Sequence, residues 1–239
     1  MSYVNRHRRH PLHGVSIGIM MLDTGFQRIP GDIGNAATWP FPVHYKVVKG
    51  VTGKQVLSEN AGGTLDKFLE AAGELVEEGI DGITTSCGFL ALLQKELSAR
   101  CPVPIMTSSL QQIPMVMQFL RPGKRIGILT ASRDALTESH FSAIGCPTDL
   151  PVVGIAPGSR FRRQMIADCP HVDKDEQRRE VLRMAGELLD ANPDVGAIVS
   201  ECTNLAPHSS AIADTYGVPV FDVVTMIQWF HSGLRPRNF

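Results

Sequence analysis

Apolar and polar positions fall into blocks along this chain, short apolar runs taking turns with longer stretches at helical spacing. The runs at 15–22, 45–48, 80–85, 103–107, 125–130, 152–155, 195–200 and 218–222 predict strands, too short and too evenly apolar for amphipathic helices. Between 64 and 78, Leu65, Phe68, Leu69, Ala72, Leu75 and Val76 return every three or four positions, and Gly79 closes that helix. Further helices are predicted over 89–99, 112–120, 133–144, 173–190, 207–216 and 225–232. Asp173, with Glu176 three residues on, reads as an N-cap. Strands separated by helices imply an α/β fold with parallel sheets covered on both faces. The stretch 23–45 carries Gly25, Pro30, Gly31, Gly34, Pro40 and Pro42, too much punctuation for a regular element. A loop of that length is expected to fold over a site as a flap.

The second half repeats the first. GIDGITTSCGFL, containing Cys87, aligns with DVGAIVSECTNL, containing Cys202, at an offset of 115 residues (202 − 87). Val103-Pro104-Ile105 falls on Val218-Pro219-Val220 at the same offset, and Ile17-Gly18-Ile19 on Ile126-Gly127-Ile128 at 109 (126 − 17). The expected fold is therefore two pseudo-symmetric lobes, each a parallel sheet flanked by helices, with the active site in the interlobe cleft. The first lobe takes residues 1–112 plus 224–239 and carries Cys87; the second takes 113–223 and carries Cys202. The last helix returns to the first lobe.

Composition narrows the classes. With 23 basic and 24 acidic residues the net charge is −1, so no global field draws in nucleic acid or an anionic membrane. No apolar run approaches the roughly 18 residues needed to span a bilayer. Residues 1–14 are basic without an apolar core, which is not a secretory signal, and they read as a short mobile tail. Five cysteines make no disulfide framework, and a cytoplasmic location is expected. Competing motifs fail: Lys49 to Lys54 lacks the spacing of a phosphate loop, and there is no zinc spacing, GxGxxG or GxSxG elbow.

Each of the two cysteines follows a strand and precedes a helix, at the sheet edge where α/β folds bind ligands. Helix N-termini favour thiolate there and hold carboxylates, with no metal or cofactor required. Two thiols facing one ligand fit inversion at a carbon acid: one removes a proton from one face, and the other returns a proton to the opposite face. Cys101, Cys146 and Cys169, each beside a proline, read as packing residues. Arg160, Arg162 and Arg163 read as a solvated face, and His208 as a surface helix residue.

Asp23-Thr24, Ser86-Cys87-Gly88, the run from Ile126 to Ser132, and Glu201-Cys202-Thr203-Asn204-Leu205 resemble the cofactor-independent aspartate/glutamate racemases, with the hydantoin racemases and related decarboxylases and cis–trans isomerases. The resemblance spans Ser16 to about Trp229. It implies an isomerase, a racemase or epimerase of a small carboxylate-bearing or hydantoin-like compound, with Cys87 and Cys202 as acid and base. It also implies substrate contacts from Asp23, Thr24, Ser86, Gly88, Phe89, Thr130, Ser132, Thr203 and Asn204, no cofactor, and a homodimer or higher homo-oligomer. Gly88-Phe89 replaces the usual Asn-Thr, and Asn204 the histidine of glutamate racemases, which leaves the substrate open. The alternatives are a cis–trans isomerase or decarboxylase using one cysteine, and a small-molecule binding protein without turnover.

Overall fold

The computed structural model describes residues 14–58, 61–234 and 236; the rest of the N-terminal tail, read above as mobile, lies outside the described residues. Among the described residues the chain builds two four-stranded parallel sheets of the same strand order. The first contains β1 (Ile17–Leu22), β2 (Val43–Val48), β3 (Gly82–Thr85) and β4 (Ile105–Met106), ordered β2-β1-β3-β4. The second contains β5 (Arg125–Thr130), β6 (Val152–Gly154), β7 (Val195–Ser200) and β8 (Val220–Phe221), ordered β6-β5-β7-β8. Every strand pairing is parallel. β1 is buried along its whole length and β5 along all but its first residue, which is why both read as unbroken apolar runs.

Helices α1 (Gly53–Ser58), α2 (Leu65–Glu77), α3 (Gln94–Arg100) and α4 (Ile113–Phe119) serve the first half of the chain. The second half has α5 (Glu138–Ala143), α6 (Arg160–Ile166), α7 (Lys174–Ala191), α8 (Ser209–Tyr216) and α9 (Val223–Leu234). The duplication is visible in the packing of two glycines. A Cβ on Gly18 would strike Leu75 of α2 and Ile80, and one on Gly127 would strike Leu188 of α7 and Val195. At each repeat position the central strand has to be bare so that its helix can lie close.

The lobes share one core. Ile83, Phe89 and Leu110 belong to the same buried cluster as Ile126, Ile128 and Val199 of the second sheet. Helix α9 returns across the first sheet, its Met226, Ile227 and Phe230 buried with Ile17, Ile19 and Ile33. No described helix is long and apolar enough to cross a membrane.

Several boundaries differ from the sequence reading. The helix expected over 133–144 starts only at Glu138, because Thr137 and His140 close a capping box there and the Thr137 amide donates to His140 Nδ1. The segments after both cysteines begin as 3₁₀ turns, Gly88–Leu93 and Thr203–His208, before the α-helices. Pro207, inside the second, has no N–H to extend an α-helical ladder. His208 is 2% exposed, packed edge-on against Phe161, so it is a core residue and not a surface one.

Candidate active site

The ends of β3 and β7 meet across the cleft, and each passes its chain into the site in the same way. The Ser86 amide donates to the Met20 carbonyl (2.9 Å), and the Glu201 amide to that of Leu129 (2.7 Å). One residue later Cys87 and Cys202 line a single cavity of about 180 Å³. Thr203 Oγ1 donates across the lobes to the Ser86 carbonyl (2.8 Å), and Ser109 Oγ to the Ser200 carbonyl (2.6 Å). These two bonds fix the spacing of the cysteine turns.

The 3₁₀ turns aim N–H groups at the sulfurs, from Phe89 and Leu90 toward Cys87 and from Asn204 toward Cys202. They do not prevail. Burial, with the Glu201 charge adding to it, pushes the Cys87 thiol up to about 12. The same two causes, in the same order, push Cys202 well above its ordinary value. The thiolate preference expected from the helix N-termini is therefore outweighed: the turns are only six residues long, and burial counts for more than their N–H groups.

Of the residues expected at the site, Asp23, Thr24, Ser86, Gly88, Phe89, Thr203 and Asn204 line the cavity beside the cysteines, while Thr130 and Ser132 do not. Thr130 is fully buried at the end of β5 and donates to Glu201 Oε2 (2.7 Å). Ser132 Oγ accepts from Arg162 Nη2 at 3.4 Å. Both stand behind wall residues. Phe89 is 2% exposed and sits edge-on to His140, so its ring is packed in the core while it borders the cavity.

Five charged groups on the wall escaped the sequence reading: Glu201, Arg162, Arg28, Lys54 and Asp168. Glu201 has no solvent exposure, and its carboxyl is pushed up to about 7 by burial, against the Thr130 hydroxyl and the Ala131 amide. Its Oε1 has no hydrogen-bond partner among the described residues. Arg162, read from sequence as part of a solvated face, lines the cavity instead because α6 turns it inward; its Nη1 donates to the Ile155 carbonyl. Arg28 also lines the cavity, held by Asp32 (2.8 Å) and Thr24 (3.0 Å), with its guanidinium 4.5 Å from the Phe26 ring centre. Asp32, 3% exposed, accepts a further bond from Asn204 Nδ2 (2.8 Å) and so ties the 23–45 loop to the second cysteine turn. Lys54, Leu57, Met165 and Asp168 complete the rim.

No family model matches the sequence. The chain is 28% identical over 232 residues to a dimethylsulfoniopropionate lyase of Durusdinium sp. clade D, covering 93% of this chain and 76% of the relative. It is 29% identical over 244 residues to dimethylsulfoniopropionate lyase 7 of Emiliania huxleyi, covering 93% and 68%. Among solved structures, a glycine-to-cysteine variant of arylmalonate decarboxylase superposes with a TM-score of 0.63 at 18% identity, covering 93% of this chain and 97% of that one. Glutamate racemase from Aquifex pyrophilus superposes with a TM-score of 0.54 at 15% identity, covering 92% and 84%. The fold is the one shared by glutamate racemase and arylmalonate decarboxylase. Within it, the chain's sequence relatives carry the names of lyases.

Proposed function

We propose that this chain is an enzyme of carbon-acid chemistry, a lyase that removes the proton α to a carboxylate and expels a group from the β carbon. Dimethylsulfoniopropionate, the compound named for the relatives, is the first substrate to test. It carries a carboxylate at one end and a β-sulfonium at the other. A thiolate takes the α-proton, the β C–S bond breaks with its electron pair leaving on sulfur, and acrylate, dimethyl sulfide and one proton result. One thiol is enough for this step.

The observation that carries the reading is the cavity's combination of two thiols with both signs of charge on a mainly apolar wall. Arg28, Lys54 and Arg162 offer cations to a carboxylate, and Asp23 and Asp168 offer anions to a sulfonium. Leu57, Phe89 and Met165 give apolar surface for its methyl groups. The test is head-space measurement of dimethyl sulfide together with acrylate. Turnover is expected from the wild type and should vanish in one of Cys87→Ser and Cys202→Ser, with a partial loss in the other. A folded wild-type protein releasing no dimethyl sulfide would overturn this substrate.

A second reading, racemisation or epimerisation, is favoured by one specific feature, the presence of both thiols on one cavity. It predicts deuterium uptake from heavy water at the α-carbon of a chiral amino acid, carboxylic acid or hydantoin. Both serine variants would then lose net inversion equally.

A further inference from the structure

Any thiolate chemistry in this cavity meets an obstacle of the protein's own making, since burial and the Glu201 charge both disfavour the thiolate. A proton acceptor has to stand nearby, and the repeat shows where the second lobe acquired one. Ser86 and Glu201 are equivalent: each precedes its cysteine, they lie 115 residues apart (201 − 86), and their amides make the same strand-end bond. In the first lobe the side chain is a hydroxyl spent locally, Ser86 Oγ accepting from the Leu22 amide at 2.9 Å. In the second lobe it is a carboxylate.

That carboxylate is half satisfied. Thr130 and the Ala131 amide hold it, with the Thr130 hydroxyl on Oε2, while Oε1 is buried without a partner among the described residues. A Cβ on Gly88, the residue after Cys87, would run into Glu201 Oε1 and the Glu201 carbonyl. Glu201 is thus joined to Cys202 through the chain and packed against the turn of Cys87.

We infer that Glu201 is the proton acceptor for the cysteine pair, its free Oε1 taking the thiol proton so that a thiolate faces the cavity. It is a positioning residue that acts through the sulfur. The inference rests on the acid–base reading of the cysteines and not on the substrate. The balance is simple. Thiol and carboxylate become thiolate and carboxylic acid; the thiolate then takes the substrate proton and becomes thiol again. The site now holds one proton more than at the start, and Glu201 releases it to solvent, matching the proton that elimination produces.

The electrostatics are compatible with this exchange. The Glu201 charge that raises both thiols disappears when Glu201 takes the proton. The other charges acting on the sulfurs are Arg28 toward Cys87, and Asp32 and Cys87 itself toward Cys202. Asp23, Lys54, Arg162 and Asp168 complete the charged wall.

The test is alkylation by iodoacetamide from pH 5 to 10, with Cys87 and Cys202 read separately by peptide mass. The wild-type rate should rise through an inflection near pH 7, where the Glu201 carboxyl ionises. In Glu201→Gln that inflection should vanish and, with no carboxylate to take the proton as the sulfur attacks, the rate at pH 7.5 should fall about tenfold. A purely structural or like-charge role predicts the opposite sign, because removing a neighbouring anion lowers the thiol pKa and speeds alkylation. Thr130→Val strips the donor from Oε2 and should move the inflection upward, which keeps the test decisive if Glu201→Gln does not fold. Unchanged or faster alkylation in Glu201→Gln, or an unmoved inflection in Thr130→Val, overturns the assignment. No substrate is present, so a failure here and a failure of the lyase reading are told apart.

Discussion

Asp168, in the second lobe, accepts the backbone amide of Phe26, in the first, at 2.7 Å, and the Gly25 amide reaches the same carboxylate at 2.6 Å. These bonds join residues more than 140 positions apart, and a third link runs from the Gln27 amide to the Cys169 carbonyl (3.3 Å). Asp168 adopts a left-handed backbone, φ 55°, to present its carboxylate. Asp is among the few non-glycine residues that visit this region at modest cost. The loop that sequence reading took for a flap is thus latched over the cavity, with Asp168 holding its tip and the Gln27–Cys169 and Asn204–Asp32 bonds beside it.

Asp168→Ala should release the latch. Two amide-to-carboxylate bonds on a solvent-facing loop are worth about 1–2 kcal/mol together, since exposed groups regain water when the pair is lost. The expected result is a KM about tenfold higher with kcat reduced less, and faster proteolysis within 25–29. Thermal stability should barely move, because the loop's core residues, Ile33 and Trp39, lie beyond the segment that Asp168 holds. Equal KM in variant and wild type would show that the latch does not govern access.

Gly88→Ala tests the crowding between the cysteine turns. The obstacle on that side includes the Glu201 backbone carbonyl, which cannot swing away as a flexible side chain would. A cost of about 1–3 kcal/mol in stability is expected from overpacking at such a site. Activity should fall further than stability, because the displaced atoms are those that set the spacing of Cys87 and Glu201. Chemical denaturation and turnover on the same sample separate the two effects.

What was legible in the sequence follows from how each feature is encoded. Parallel strands buried on both faces write themselves as apolar runs, so β1, β5 and β7 stand out, and the duplication pointed to Cys87 and Cys202 through the offset of 115. Helix α6 was invisible because Arg160, Arg162 and Arg163 dominate it and Phe161 is its one buried apolar side chain among those described. Glu201 was missed for a related reason: nothing local marks a glutamate as buried, since its burial depends on Thr130 and Gly88 far along the chain. The available signal was the repeat itself, which sets Glu201 opposite Ser86. The family resemblance set Thr130 on the wall, but its hydroxyl is taken up by Glu201.

His208 gives a stability prediction on the acid side. It is 2% exposed with Nε2 unpartnered among the described residues, and burial, then Lys174 and Arg178, push its pKa down to about 4 from 6.5. As pH falls below about 6.5 the unfolded chain takes up a proton that the fold refuses. Stability from this group is therefore present above 6.5 and lost progressively down to about 4, amounting to about 3 kcal/mol. His208→Gln should flatten this loss in urea titrations between pH 7 and 4.

Glu201 acts in the opposite sense, and the overlap makes a sharper experiment. Its folded pKa of about 7 lies above the ordinary 4.5, so the unfolded chain ionises first as pH rises. Its contribution is complete below 4.5 and lost by about 7, again about 3 kcal/mol. Between pH 4.5 and 6.5 the two groups impose slopes of equal size and opposite sign, so their two contributions nearly cancel in the wild type. Each single variant uncovers the other's slope. His208→Gln should lose stability as pH rises through that window, and Glu201→Gln should gain it, each by about 1.4 kcal/mol per pH unit at most. Unfolding free energies at pH 4.5, 5.5 and 6.5 for the three proteins decide the matter; a Glu201→Gln curve parallel to wild type would mean that the carboxyl titrates normally and is not held in a dry site.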